Sequence, residues 1–286
     1  MPSEYLVPAN AAGNTVVTDI TPASANWGYS GLKVIDLEAG ESTEFSADGI
    51  EFIVFPLSGG CTVEVDGETF NVHGHDNVWA SSTDWVYVGL GRTARVTSTT
   101  GGRYAFPNAK ATNALPNRYV PASATPIEMR GSGNCSRQVN NFCTSHTFEA
   151  DSMIAVEVLT PAGNWSSYPP HKHDVATETE SPLEEIYYFE VADGPAGPGM
   201  AYQRIYSTDP ARPIDVLEEV GSGDAVLVPH GWHGPSIASP GYDLYYLNVM
   251  AGPGDDRVWR ICDDPAHAWV RSTWADQQLD PRLPYY

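Results

Sequence analysis

The feature that most constrains this chain is a set of histidines at strand-like spacing. Residues 164–174 read Asn-Trp-Ser-Ser-Tyr-Pro-Pro-His-Lys-His-Asp, so His171 and His173 stand two apart. Fourteen residues after His171, Glu185 opens the apolar run Ile186-Tyr187-Tyr188-Phe189. A third stretch, residues 223–233, runs Gly-Asp-Ala-Val-Leu-Val-Pro-His-Gly-Trp-His and ends on His233. Residues two apart in a β-strand share a face, about 6.5–7 Å from one another, so His171 and His173 can converge on one ion. A carboxylate and a third imidazole from neighbouring strands would complete a three-His, one-carboxylate donor set of the kind transition metals select. Small barrels present such inward groups while burying the rest of their lining. Satisfied polar histidines would be the simpler reading of a lone His-x-His. Here the pair is followed, in order, by a Glu-led strand and a Gly-x5-Pro-x-Gly-x-His turn.

Short apolar runs between turn clusters, with 23 Pro and 26 Gly, favour many strands over long helices. The pattern predicts an all-β chain. Strands are expected at 32–37, 51–56, 61–65, 70–72, 77–79, 85–88 and 93–99, then at 154–160, 185–189, 200–206, 225–228 and 242–249. Asp66-Gly67 is a tight-hairpin dipeptide. Residues 1 to about 30 read as irregular, and 103 to about 145 as a turn-rich connection in which 128–139 crosses between halves. The Trp-rich tail is expected to form a short helix or to wrap the rest.

A weak internal repeat joins the halves. Glu51-Phe52-Ile53-Val54-Phe55 resembles Glu185-Ile186-Tyr187-Tyr188-Phe189, and Asp76-Asn77-Val78-Trp79-Ala80 resembles Asp224-Ala225-Val226-Leu227-Val228. Nine residues beyond each Asp stand Trp85 and His233. No His-x-His precedes Glu51, and His73-Gly74-His75 follows it, the wrong place for a ligand pair. The expected outcome is two similar units, of which only the second keeps a ligand set.

A formal charge of -21 repels phosphate backbones and so argues against nucleic acid, and more weakly against anionic membranes. The only lysines are Lys33, Lys110 and Lys172, so an anionic substrate would need a local cationic patch within this negative field. Residues 1–8 lack the basic and apolar segments of a signal peptide, and no apolar run approaches the roughly 20 residues of a membrane helix. Cys61, Cys135, Cys143 and Cys262 form no C-x-x-C, which suits buried thiols in a reducing compartment. The chain is expected to be cytoplasmic.

With those residues in view, the His-x-His…Glu and Gly-x5-Pro-x-Gly-x-His elements resemble the cupin superfamily, and the repeat resembles a bicupin. Arg130-Gly131-Ser132-Gly133-Asn134-Cys135-Ser136-Arg137-Gln138, residues 163–174, 184–189 and Tyr245-Tyr246-Leu247-Asn248-Val249-Met250-Ala251-Gly252-Pro253 are similar to the 5-deoxy-glucuronate isomerase family of myo-inositol catabolism. A more distant likeness is to ketol-isomerases of 4-deoxy-5-keto-uronate. The resemblance implies two antiparallel jelly-roll barrels. Residues 1–125 would form a degenerate cupin without ligands, and residues 126–286 a metal-binding one. It implies interconversion of 5-deoxy-glucuronate and 2-deoxy-5-keto-gluconate, with His171, His173, Glu185 and His233 as ligands of a divalent ion. Zinc comes first for that ion, with manganese or iron as alternatives. Glu184 competes with Glu185 for the carboxylate position, and His230 with His233 for the last imidazole.

An aldose–ketose shift also needs a proton-transfer group, for which Glu184, His230, Tyr188 and Tyr246 are candidates. The substrate's carboxylate needs a cation. Arg204 and Lys172 are the first candidates and Arg137 the third. Alternation along the strand would, however, turn Lys172 away from the metal. The implied partner is a small uronate, and a homo-oligomer is compatible with the sequence. Two other classes share the frame: a metal-dependent bicupin dioxygenase, which would consume oxygen, and a non-catalytic sugar-binding cupin.

Overall fold

Several runs in this chain bury side chains on both faces, among them Ile50–Pro56, Glu184–Val191 and Leu244–Ala251. A strand of that kind needs a packed layer on each side. The computed structural model, which describes residues 3–11, 13, 15–254 and 256–286, meets this need with stacked antiparallel sheets and only short helical turns. Met1 and Pro2, the start of the segment read for a leader, lie outside the described residues.

In the first half, a six-stranded sheet runs Arg118–Val120, Trp85–Val88, Ile50–Pro56, Gly102–Lys110, Ser30–Leu37, Val16–Ile20. It packs on a four-stranded sheet of Ser42–Ser46, Thr93–Ser98, Gly59–Val65 and Glu68–His75 through Phe52, Val54, Tyr104 and Phe106. In the second half, a seven-stranded sheet runs Leu6–Val7, Ala225–Val228, Glu184–Val191, Leu244–Ala251, Ile154–Thr160, Arg137–Cys143, Ile127–Arg130. It packs on a four-stranded sheet of Trp165–Ser166, Ser236–Ala238, Ala201–Tyr206 and Asp215–Val220 through Tyr187, Phe189, Tyr246 and Ile205. A third core joins the two large sheets back to back, with Ile53, Phe55 and Tyr87 against Phe142, Ile186 and Tyr188. Phe55 stacks on Phe142 there at 4.5 Å between ring centres. No ladder among the described residues closes into a barrel.

The strands expected at 154–160 and 225–228 lie where the pattern put them, and Asp66-Gly67 turns the Gly59–Val65/Glu68–His75 hairpin with both residues at positive φ. Residues 77–79 are a turn, not a strand. The connection expected at 103–145 contains four strands: the end of Gly102–Lys110, Arg118–Val120, Ile127–Arg130 and Arg137–Cys143. Arg137–Cys143 was hidden by its buried Arg, Gln and two Asn, which have none of the usual strand look. The N-terminal stretch read as irregular sends Leu6–Val7 across to pair with Ala225 and Val226 of the far half.

Of the expected repeat, the Glu51–Phe55 and Glu185–Phe189 pair is found one residue out of register, and the pairing of 76–80 with 224–228 is not found. Phe52 lies opposite Val88 in its sheet and Glu185 opposite Val228 in the other, so Phe52 matches Glu185 and Glu51 matches Glu184. The same register matches Trp85 with Ala225 rather than with His233. Hydrogen bonding confirms it. Glu51 accepts from the amides of Asp151, Ser152 and Met153, each at 2.7 Å, just ahead of Ile154–Thr160. Glu184 accepts from those of Gly28, Tyr29 and Ser30 at 2.7, 2.8 and 3.1 Å, at the entry to Ser30–Leu37. Each half thus clamps the strand entry of the other with one carboxylate.

Between the large sheets lies the buried carboxyl of Glu157, which accepts from Asn140 Nδ2 at 3.1 Å and Tyr245 Oη at 3.0 Å. Asn140 also holds the hydroxyl of Tyr286 at 2.7 Å. Burial pushes the Glu157 pKa up to about 7. A raised folded-state pKa stabilises the fold fully below the unfolded value near 4.5, and that contribution is lost as pH rises through about 7. Its size is on the order of 3 kcal/mol. Glu157→Gln should therefore raise the melting temperature at pH 8 by about 2–5 °C, with the gap closing towards pH 5. Calorimetry of both proteins across this range checks the sign; a gap that is constant with pH would contradict it.

Candidate metal centre and active site

His171 begins the two-residue strand His171–Lys172, which pairs with Cys262–Asp263. Its backbone also exchanges two hydrogen bonds with His233, 2.9 and 2.8 Å long, so the two chain segments are stitched together at the ligands themselves. Gly234 allows this approach. Its φ is +108°, and a Cβ there would stand 2.6 Å from the Ser167 carbonyl and 2.7 Å from the His171 ring. Strand alternation returns His173 to the same side. Glu185 projects inward from Glu184–Val191, in line with Tyr187 and Phe189.

The four side chains meet. His173 Nε2 and His233 Nε2 lie 3.1 and 2.9 Å from Glu185 Oε2, and 3.1 Å from each other. The His171 ring centre is 4.7 Å from that of His233 and 6.0 Å from that of His173. All four residues are at most 3% exposed. His173 Nδ1 lies 3.2 Å from the Leu183 carbonyl and His233 Nδ1 2.8 Å from that of Gly231. Those carbonyls assign the proton to Nδ1 in each ring and turn the Nε2 lone pairs inward, an arrangement typical of metal-bound imidazoles. His171 Nε2 and Glu185 Oε1 are buried without a partner. Two facing lone pairs, one carboxylate and two unsatisfied donor atoms fit a cation, and the three histidines place a ligand atom each within 4.8 Å of one another.

The electrostatics point the same way. Burial pushes the Glu185 pKa up, but the neighbouring His173 and His233 outweigh this and hold it at about 2. Burial, together with the neighbouring His233 and His173, keeps His171 well below its usual value and therefore neutral. For His173, burial pulls down and the Glu185 carboxylate more than offsets it, so its pKa is raised. The site is built to hold positive charge beside Glu185.

Of the other sequence candidates, the structure brings Tyr246 into the same interior. Its hydroxyl lies 2.6 Å from Ser166 Oγ and 3.1 Å from Ser167 Oγ, and its ring is 5.1 Å from that of Tyr187. Glu184 is engaged by the amides of residues 28–30. Tyr188 faces the back-to-back interface and donates to Glu190 at 2.6 Å. Lys172 points away, bound to Asp174 at 2.9 Å and Glu180 at 2.7 Å. Arg204 lies on the outer face of Ala201–Tyr206, on Asp215 at 2.5 Å and the Val216 carbonyl at 2.8 Å, because Gln203 and Ile205 take the inward positions. His230 faces outward, its Nε2 3.2 Å from the Arg212 carbonyl. Sequence reasoning passed over Tyr187, Gln203, Asn248 and Thr160, which line the interior. Counting by twos from Glu185 reaches Tyr187; the parity of 201–206 is ambiguous, since both faces carry apolar residues.

The KduI/IolB family description matches residues 5–270. This chain belongs to the KduI/IolB family. The 5-deoxy-glucuronate isomerase of Halalkalibacterium halodurans is 38% identical over 261 residues, spanning 90% of this chain and 94% of that one. Among solved structures, an IolB-like protein from Salmonella typhimurium LT2 superimposes with a TM-score of 0.86 at 34% identity, covering 93% of this chain and 98% of that one. The oxalate decarboxylase of Lactobacillus farciminis shares the fold alone, with a TM-score of 0.63 at 11% identity over 92% and 89% of the two chains. This KduI/IolB chain is all-β with cupin-like neighbours, and among its described residues no helix is long and apolar enough to cross a membrane.

His171→Ala should abolish metal retention, read as metal per chain after dialysis against a weak chelator. Glu184→Ala, which strands three amides, should lower the melting temperature while metal content stays at the wild-type level. Full metal content in His171→Ala would remove this residue from the ligand set.

Proposed function

We propose that this protein interconverts 5-deoxy-D-glucuronate and 2-deoxy-5-keto-D-gluconate, an aldose–ketose isomerisation of inositol catabolism. The observation that carries the reading is the buried His171, His173, His233 and Glu185 cluster in a KduI/IolB chain. Family relatives named for this activity support it. These four residues are assigned as ligands of one divalent ion. Three imidazoles favour zinc or iron, and the carboxylate also admits manganese; zinc is our first assignment. When bound, such an ion acts as a Lewis acid for negative charge on the carbonyl and adjacent hydroxyl oxygens of the sugar.

The reaction is redox-neutral. A proton leaves the carbon beside the aldehyde and returns to the former aldehyde carbon, while the hydroxyl proton passes between the two oxygens. Tyr246 is our candidate for holding and moving a proton, at its phenolic oxygen, with Ser166 and Ser167 fixing its orientation. Burial raises its pKa and the nearby Arg137 opposes that rise, so the phenol is a proton donor at neutral pH. The dry walls formed by Tyr187, Phe189 and Met250 keep water from competing for the intermediate. Glu184, Tyr188, Lys172 and Arg204 are assigned to holding the frame.

We further read residues 1–125 and 126–286 as two cupin units, the first degenerate, with Leu6–Val7 exchanged onto the second. Phe52 at the position of Glu185 supports the degeneracy. Four unpaired cysteines fit a cytoplasmic location.

The test is turnover of 5-deoxy-D-glucuronate by metal-analysed protein in deuterated water, followed by NMR together with an oxygen electrode. Isomerisation with no oxygen uptake is expected, and Tyr246→Phe should lower kcat by about 10²–10⁴ with metal content unchanged. Oxygen consumption coupled to substrate loss would favour the dioxygenase reading instead.

A further inference from the structure

We propose that Arg137 binds the carboxylate of the substrate and so makes this site selective for a sugar acid, an inference that rests on the isomerase reading above. Arg137 opens Arg137–Cys143, faces the same interior as Val139 and is 5% exposed. Its guanidinium has no carboxylate partner among the described residues. Nη1 donates to the Cys135 carbonyl at 3.1 Å, and Nε is buried without a partner. Its situation is unlike that of the cations around it. Arg130 is paired with Glu128 at 2.8 Å and Arg271 with Asp263 at 2.7 Å. In a chain with 36 acidic and 15 basic residues, carboxylates are plentiful, yet none among the described residues forms an ion pair with this one.

A buried guanidinium without a counter-ion is unfavourable, and a planar fork of donors is matched best by a carboxylate. The group also lies on the side of the site. The carbonyl of Ser136, just before it in the chain, accepts from Asn164 Nδ2 at 3.1 Å, and Asn164 stands two residues before Ser166, whose hydroxyl lies 2.6 Å from that of Tyr246. Further polar atoms on inward strand positions are buried and unpartnered: Thr160 Oγ1, Gln203 Nε2 and Asn248 Nδ2. Apolar cores do not leave such atoms stranded. Together with the Arg137 guanidinium they are polar groups without partners on inward strand positions, as a polyhydroxy acid would require.

The experiment compares 5-deoxy-D-glucuronate with 5-deoxy-D-glucose, in which CH2OH replaces the carboxylate, using metal-loaded wild type, Arg137→Gln and Arg137→Lys. In Arg137→Gln, kcat/KM for the acid should fall at least 30-fold through KM, and that for the neutral sugar less than threefold. Metal content and melting temperature should stay at wild-type values. Arg137→Lys, which keeps the charge and loses the fork, should fall between the two proteins for the acid. If Arg137→Gln does not fold, Arg137→Lys alone must still raise KM for the acid and not for the neutral sugar. Equal losses for both sugars, or an unchanged KM for the acid, overturn the proposal. Should the wild type convert neither sugar, the isomerase reading fails and the arginine is judged by calorimetry with D-glucuronate and D-glucose. Preferential binding of the acid that Arg137→Gln weakens at least tenfold supports it; equal binding of the acid by both proteins overturns it.

Discussion

Four titratable side chains buried against one another are the constraint on which the rest of this molecule depends. Three imidazoles and a carboxylate, each out of water, cannot be left to repel or to go unsatisfied; they need a shared positive charge and fixed orientations. The protein supplies the orientations. Carbonyls of Leu183 and Gly231 set two of the rings, and the backbone exchange between His171 and His233 fixes the third relative to them. Glu185 sits on a strand packed on both faces, so the carboxylate has little freedom to withdraw.

Rigidity of that strand comes from outside the half that carries the site. Its neighbour Glu184 is held by amides at the entry to Ser30–Leu37, and Glu51 holds the entry to Ile154–Thr160 in return. One residue of offset separates the architectural carboxylate from the chemical one, and alternation sends them to opposite faces. In the first half the same two positions read Glu51 and Phe52, so the architectural carboxylate is kept and the inward position is apolar. The first half thus buttresses the second.

Much of this was legible in the residues. His171, His173 and His233 follow a spacing that only a strand-and-turn frame can bring together, and Pro229-x-Gly231-x-His233 pointed past His230 to the inward ring. Glu185 was the expected carboxylate, with Glu184 as its competitor. What was not legible depends on parity and on buried polarity. Whether Gln203 or Arg204 faces inward turns on a single-residue shift in a strand with apolar side chains on both faces. Arg137–Cys143 reads as a connection because a strand carrying Arg, Gln and two Asn looks exposed, whereas in the fold all seven residues are buried. The first part of the repeat reads one residue out of step because two adjacent glutamates offer two alignments, and only the pairing of Phe52 with Val88 and Glu185 with Val228 chooses between them; the second part is a chance likeness, since 76–80 forms no strand.

The most direct test of the central claim is anomalous diffraction from crystals of the protein loaded with zinc or manganese, collected on either side of the metal's absorption edge. A single peak within bonding distance of His171, His173, His233 and Glu185 together is the predicted result. A peak elsewhere with these four side chains unliganded, or no peak after saturation with both metals, would contradict it.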